Sequence, residues 1–182
     1  SRTDWQKLIY LLVNSIYTAE QVKTFEKNSF VNKGDDLLAM REAAKHSVEE
    51  LIKAYPKSDF LILCGPGNNG GDGYFIGIGL SELNKCVKFI DVMNNLKKSR
   101  LCDHAFKKAK NLKFISSKEL KNISSDTVVI DAILGIGGRI DLGEKLEEIL
   151  SVCNSFKSKV AIDLPTGLDC NTGEISKGCF NA

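Results

Sequence analysis

The chain has 182 residues, 43% hydrophobic and 26% charged, the ordinary balance of a soluble globular protein of one domain. Its 25 Lys and Arg against 23 Asp and Glu leave a formal charge of +2, too small to imply nucleic acid or an anionic membrane as partner. A chain of this length buries roughly 70% of its surface on folding, so its core needs neither disulfides nor a structural metal.

The first apolar run, Leu8 to Val13, is too short to cross a bilayer and short for a signal-peptide core, so no membrane span is expected. Because the sequence begins at Ser1, an organellar leader stays open. Thr18-Ala19-Glu20-Gln21 has the form of a capping box, in which each side chain satisfies a backbone donor of the first helical turn, and a helix is expected to about Asn28. A second helix is predicted from Asp35 or Asp36 to Tyr55. Leu37, Met40, Ala44, Val48, Leu51, Ile52 and Tyr55 recur on one face, and Pro56 follows. His46 falls on this helix and reads as a surface or core histidine.

From Asp59 the pattern changes to short apolar runs alternating with amphipathic stretches. Phe60–Cys64, Val87–Val92, Lys113–Ile115, Val128–Ile130 and Val160–Ile162 read as strands, apolar at consecutive positions as in a sheet covered on both faces. Helices fit between them at Tyr74–Leu83, Arg100–Lys110, Ser117–Asn122 and Glu144–Val152. This alternation predicts a doubly wound α/β fold with a mostly parallel sheet, whose ligands bind beyond the carboxyl ends of the strands. The six cysteines, Cys64, Cys86, Cys102, Cys153, Cys170 and Cys179, are dispersed without zinc or redox spacing. They read as reduced thiols in a cytoplasm-like compartment, several of them small buried side chains.

The first strand runs into Gly65-Pro66-Gly67-Asn68-Asn69-Gly70-Gly71-Asp72-Gly73, read as a glycine-rich loop before the helix at Tyr74. Gly65, Gly67 and Gly70 satisfy a dinucleotide fingerprint, and Asp91 ends the second strand where a ribose-binding acid would sit. A hydride-transferring oxidoreductase is therefore one reading. Asp72 argues against it, since a carboxylate near the helix N-terminus would meet a pyrophosphate with like charge. A P-loop is excluded because no Lys-Ser or Lys-Thr closes the segment.

Two further strands deliver a carboxylate to a glycine-containing loop. Asp131 follows Val128–Ile130, ahead of Gly135-Ile136-Gly137-Gly138, and Asp163 follows Val160–Ile162, ahead of Pro165-Thr166-Gly167. If these strands are neighbours, Asp72, Asp131 and Asp163 converge with Asn68 and Asn69 on one edge. Clustered carboxylates repel, so such a site holds a cation, keeps an acid protonated, or both.

The segments GPGNNGGDG, DAILGIG and AIDLPTGLDCNTGEI, with YTAEQV and LLAMREAA nearer the start, resemble the signature segments of the YjeF N-terminal domain family, the NAD(P)H-hydrate epimerases. The resemblance runs from about Tyr17 to the end of the sequence. It implies a Rossmann-like three-layer αβα sandwich that commonly forms a homodimer. The implied activity is interconversion of the R and S epimers of hydrated NADH or NADPH, whose S form a dehydratase, here expected on a separate chain, then repairs.

By motif position the resemblance implies that Asn68, Asn69, Gly70, Gly71 and Asp72, and the loop Gly135, Ile136, Gly137, Gly138, Arg139, Ile140 and Asp141, contact the hydrated dinucleotide. It implies that Asp163 faces the reacting ring and that Asn69, Asp131 and Thr166 ligate a potassium ion. The family usually has Ser at Thr166 and Thr at Ile136, so the ion site keeps its hydroxyl and the loop loses one. It also usually continues with another strand and helix, so a shortened sheet or a missing piece is expected. A non-catalytic nucleotide-binding or scaffold domain is the remaining reading. Nine Lys or Arg lie between Lys97 and Lys121; with Leu101, Ala105, Phe106 and Ala109 as a buried stripe, they read as a solvated helix face, the alternative being attraction of phosphates or an acidic partner.

Overall fold

The computed structural model of the chain describes residues 18, 20–22, 24, 34–136 and 141–182. The run Leu8 to Val13, most of the first expected helix, and Gly137, Gly138, Arg139 and Ile140 lie outside the described residues. The capping box is formed: the Thr18 N–H donates to Gln21 Oε1 at 2.8 Å and the Gln21 N–H to Thr18 Oγ1 at 3.3 Å.

Helix α1 spans Asp35–Ala54 and buries Met40, Ala44, Val48 and Leu51, the stripe its periodicity predicts. Gly34 precedes it at φ 109°, a left-handed conformation that glycine adopts without the cost of a Cβ. His46 lies on the exposed face, 3.6 Å from Glu49.

Five strands follow, β1 (Phe60–Cys64), β2 (Val87–Asp91), β3 (Lys113–Phe114), β4 (Val128–Ala132) and β5 (Ser158–Ala161). They form one sheet in the order β3-β2-β1-β4-β5, all pairs parallel. Between them run α2 (Asn68–Glu82), α3 (Arg100–Ala109), a 3-10 turn at Ser117–Asn122, and α4 (Glu144–Cys153). Alternate strand residues supply two cores. Phe60, Ile62, Cys64, Phe89, Val128 and Ile130 pack with α1, α2 and α3. Leu61, Leu63, Ile90 and Val129 pack on the other face with Leu146, Ile149 and Leu150 of α4. The result is the three-layer αβα sandwich expected.

The main correction is at α2, which begins at Asn68 rather than Tyr74. The glycines read as a loop are helix, and close packing explains them. A Cβ on Gly70 would stand 1.9 Å from the Gly65 carbonyl oxygen, and one on Gly73 2.6 Å from Ala132 Cβ. α2 thus lies directly on β1 and β4, and Asp72 sits inside its first turns rather than ahead of it. Smaller corrections place β4 two residues longer than predicted, so that Asp131 is within the strand, and β5 two residues earlier at its start.

On α3, Leu101, Cys102, Ala105 and Ala109 are buried and Lys107 and Lys108 are exposed, as the solvated-face reading requires. Among the described residues no helix is long and apolar enough to cross a membrane, and all six cysteines are free thiols.

Candidate functional site

The chain reverses direction of travel across the sheet between β1 and β4, which pair directly. At such a switch point the loops leaving the two strands diverge and open a crevice. The loop after β1 leads into Asn68 and Asn69, the loop after β4 carries Ile133 to Ile136, and the segment after β5 carries Asp163 to Thr166. The strand order therefore assembles residues almost a hundred positions apart.

Asp131 is fully buried and is held by three donors. Its Oδ2 accepts the Thr166 N–H at 2.7 Å; its Oδ1 accepts the Thr166 hydroxyl at 2.8 Å and the Ile133 N–H at 3.1 Å. Burial raises its carboxyl above the ordinary range, and these hydrogen bonds oppose that rise, since each favours the ionised form. Thr166, 1% exposed, also accepts the Leu134 N–H at 3.2 Å.

Asp163 is exposed and has φ 67°, a left-handed backbone that Asp adopts more readily than most side chains but still at a cost. Its Oδ2 accepts the Ile136 N–H at 2.7 Å. A Cβ on Gly135 would lie 2.5 Å from Asp163 Oδ2 and 3.5 Å from Asn69 Cβ, so these three residues adjoin.

Asn69 is 8% exposed. Its Nδ2 donates to the Ile162 carbonyl at 3.2 Å, while its Oδ1 is buried with no hydrogen-bond partner among the described residues. The Ile162 N–H in turn donates to the Asp131 carbonyl at 2.8 Å, which ties Asn69 and Asp131 to the same strand end. A buried amide oxygen left unpaired costs about 1–3 kcal/mol, so the arrangement suits a cation bound there. Thr166 Oγ1 and Asp131 Oδ2 each retain a lone pair beyond the bonds named. Among the described residues no cluster of three or more His, Cys, Asp or Glu forms a metal site. The donors named above are neutral oxygens and one carboxylate, a set that suits a hard cation. Asn69, Asp131 and Thr166 therefore present oxygen donors that fit a cation of this kind.

Asn68 and Asp72 serve the α3 side of the same helix end. The Ser99 hydroxyl donates to Asn68 Oδ1 at 2.7 Å and accepts the Cys102 N–H at 3.2 Å as the N-cap of α3. Burial pushes the Cys102 thiol up to about 11, with the Asp91, Asp103 and Asp72 charges adding and Lys98 opposing. Gly70 and Gly71 are buried in the helix contact, and Asp141 is exposed beyond the loop. Sequence reasoning missed Ser99, which N-cap preference could have found. It also missed the Ile136 amide and the Ile162 carbonyl, backbone groups that no residue identity announces.

Asp91 is closed to a ribose. Lys98 Nζ lies 2.9 and 2.8 Å from its two oxygens, and the Tyr74 hydroxyl donates to Oδ1 at 3.0 Å. Lys98 also stands 4.7 Å from the centre of the Phe106 ring, which holds the ammonium in place. The acid on which the oxidoreductase reading depends is therefore already paired. A groove of about 730 Å³ lies elsewhere, between α1, the far end of α2 and α3, lined by residues such as Leu38, Val48, Phe75 and Leu83, and takes no part in this chemistry.

Residues 37–182 match the family model described as YjeF-related protein N-terminus. The chain is 28% identical to the NAD(P)H-hydrate epimerase of Rhodopirellula baltica, over 80% of this chain and 62% of that protein. It is also 28% identical to the NAD(P)H-hydrate epimerase of Elusimicrobium minutum, over 91% of this chain and 81% of that protein. The chain thus spans less than two thirds of the first relative's length. The crystal structure of yeast ynu0 superposes with a TM-score of 0.73 at 19% identity, covering 92% of this chain and 77% of that one, which is a likeness of fold.

Proposed function

The chain belongs to the YjeF-related protein N-terminus family, and on that premise we propose that it is an NAD(P)H-hydrate epimerase, interconverting the R and S epimers of hydrated NADH and NADPH. The observation that carries the reading is the Asp163 carboxylate, exposed at the switch-point crevice and anchored by the Ile136 N–H. The names borne by the relatives support the substrate class.

The substrate carries a hydroxyl on the ring carbon next to nitrogen. Protonation of that hydroxyl by Asp163 lets the carbon–oxygen bond break, its electron pair leaving with water while the nitrogen lone pair forms a planar iminium. Water then adds to the opposite face and returns its proton to Asp163, so one carboxyl group acts first as acid and then as base. Such catalysis contributes roughly 100- to 10,000-fold.

Asn68, Asn69 and the amides at the start of α2 would bind the dinucleotide with the loop from Gly135 to Asp141, and Asp72 lies at the same helix end. Asn69, Asp131 and Thr166 would hold a potassium ion, which when bound supplies a fixed positive charge beside the buried carboxylate. A homodimer, a dehydratase on a separate chain as the functional partner, and a reducing, cytoplasm-like compartment complete the proposal. The last is supported by the six free thiols.

The test starts from separated epimers of hydrated NADH. The protein should speed their exchange above the spontaneous rate, measured by chromatography, with no oxidation of NADH. Asp163→Asn should abolish the acceleration and leave folding intact, because Asn tolerates the left-handed backbone as well as Asp does. Near-normal turnover in that variant would sink the assignment.

A further inference from the structure

The loop after β4 is tied to its neighbours through successive backbone amides: Ile133 N–H to Asp131 Oδ1, Leu134 N–H to Thr166 Oγ1, and Ile136 N–H to Asp163 Oδ2. Gly135 is the gap in this series, and a side chain there would run into the Asp163 carboxylate. We propose that Gly135 and the Ile136 amide together select which oxygen of Asp163 carries the catalytic proton, which makes Gly135 a positioning residue.

The argument is one of donors and acceptors. An N–H can only donate, so the oxygen it faces must be an acceptor in both protonation states of the acid. Oδ2, 2.7 Å from the Ile136 nitrogen, is thereby favoured as the carbonyl oxygen of the acid form, the stronger acceptor of the two, and the proton is favoured on Oδ1. Among the described residues no other hydrogen bond to this carboxylate is made, and Asp163 is exposed, which leaves Oδ1 available to a bound substrate. In the epimerisation step Oδ1–H gives its proton to the departing hydroxyl, the O–H bonding pair stays on the carboxylate, and the same oxygen takes a proton back from the water that adds.

The missing side chain at Gly135 is what permits this geometry. A Cβ there would stand 2.5 Å from Oδ2, and its other near neighbours lie at an ordinary 3.5 Å. Relief would come from swinging the carboxylate aside, the end of a flexible and exposed side chain, rather than from moving backbone. Gly135→Ala should therefore fold normally while breaking the Ile136 contact. The Ile136 side chain takes no part in this contact, so Ile in place of the family's usual Thr leaves the anchoring unchanged.

The inference rests on the epimerase reading for its chemistry and on the Ile136–Asp163 contact for its geometry, and the test separates the two. In ¹⁵N-labelled protein, the Ile136 amide proton, bonded to a carboxylate, should resonate downfield of its position in Asp163→Ala. In Gly135→Ala it should move to the Asp163→Ala position. Epimer exchange by Gly135→Ala should show kcat lowered roughly 100-fold, the cost of an ångström-scale misplacement. A wild-type amide position in Gly135→Ala, an Ile136 proton indifferent to Asp163→Ala, or an unchanged kcat would each overturn the proposal. Absence of exchange by the wild-type protein would instead overturn the epimerase reading and with it the proton's role, while the amide shifts would still report the anchoring.

Discussion

Replacing Thr166 by Val removes one hydroxyl and leaves the shape of the side chain nearly unchanged. That hydroxyl donates to Asp131 Oδ1 at 2.8 Å and accepts the Leu134 N–H at 3.2 Å, and the residue is 1% exposed. A hydrogen bond to a charged group contributes about 1.5–3 kcal/mol, and an unsatisfied buried N–H costs about 1–3 kcal/mol more. Leu134 is only half-buried, so water recovers part of the second cost, and a total of about 3 kcal/mol is expected. For a domain of 182 residues this lowers Tm by about 6–12 °C. Urea denaturation should show a lower midpoint with an unchanged slope, which reports stability rather than a change in the unfolded state. Thr166→Ser keeps both bonds and loses one methyl, a cost of about 1 kcal/mol. If Val cost less than about 1 kcal/mol, or Ser cost as much as Val, the hydrogen bonds would not be what holds Asp131 in place.

The packing of α2 on the sheet predicts that Gly77→Ala destabilises by about 1–3 kcal/mol through overpacking, because its Cβ would meet the Phe89 ring at 2.2 Å; a thermal melt within 1 °C of wild type would refute the close contact. Glu119 accepts the Ser116 N–H at 2.8 Å and the Ser116 hydroxyl at 3.0 Å, and these bonds, the backbone one first, hold its carboxyl below the ordinary range. Its folded pKa is the lower one, so its contribution is present above the unfolded value of about 4.3 and is lost as pH falls through the folded value. The stability gap between wild type and Glu119→Ala should therefore be constant near neutral pH and close in acid, as urea midpoints across pH would show. Potassium chloride should raise Tm above tetramethylammonium chloride at equal ionic strength, as any ligand of the native state does. Asn69→Ala should erase that difference, and a Tm indifferent to the cation would remove potassium from the site.

The strands were legible because a sheet covered on both faces leaves runs such as Phe60–Cys64, buried at every position, with no polar alternation to confuse them. The start of α2 was not. Gly70, Gly71 and Gly73 in its first turns weaken a helix by about 1 kcal/mol each on propensity alone, and the close contacts of Gly70 with Gly65 and of Gly73 with Ala132 explain why glycine stands there. Asp131 and Asp163 stood out as carboxylates ending apolar strands and Asn69 as part of the glycine-rich segment, whereas Thr166 was singled out only through the family resemblance. Their environments were not legible, because Asp131 is met by Thr166 from 35 residues away, and the left-handed backbone of Asp163 leaves no trace in composition. Asp91 misled for the same reason: its spacing suits a ribose acid, and only the fold brings Lys98 and Tyr74 onto it.

If Asp163 removes and restores water at the ring, epimer exchange in ¹⁸O-labelled water will show it. With wild-type protein the label should enter the ring hydroxyl as fast as the R and S forms of hydrated NADH interconvert, and with Asp163→Asn both processes should fall to the spontaneous rate. Interconversion without entry of label, or wild-type rates in the Asp163→Asn protein, would contradict it.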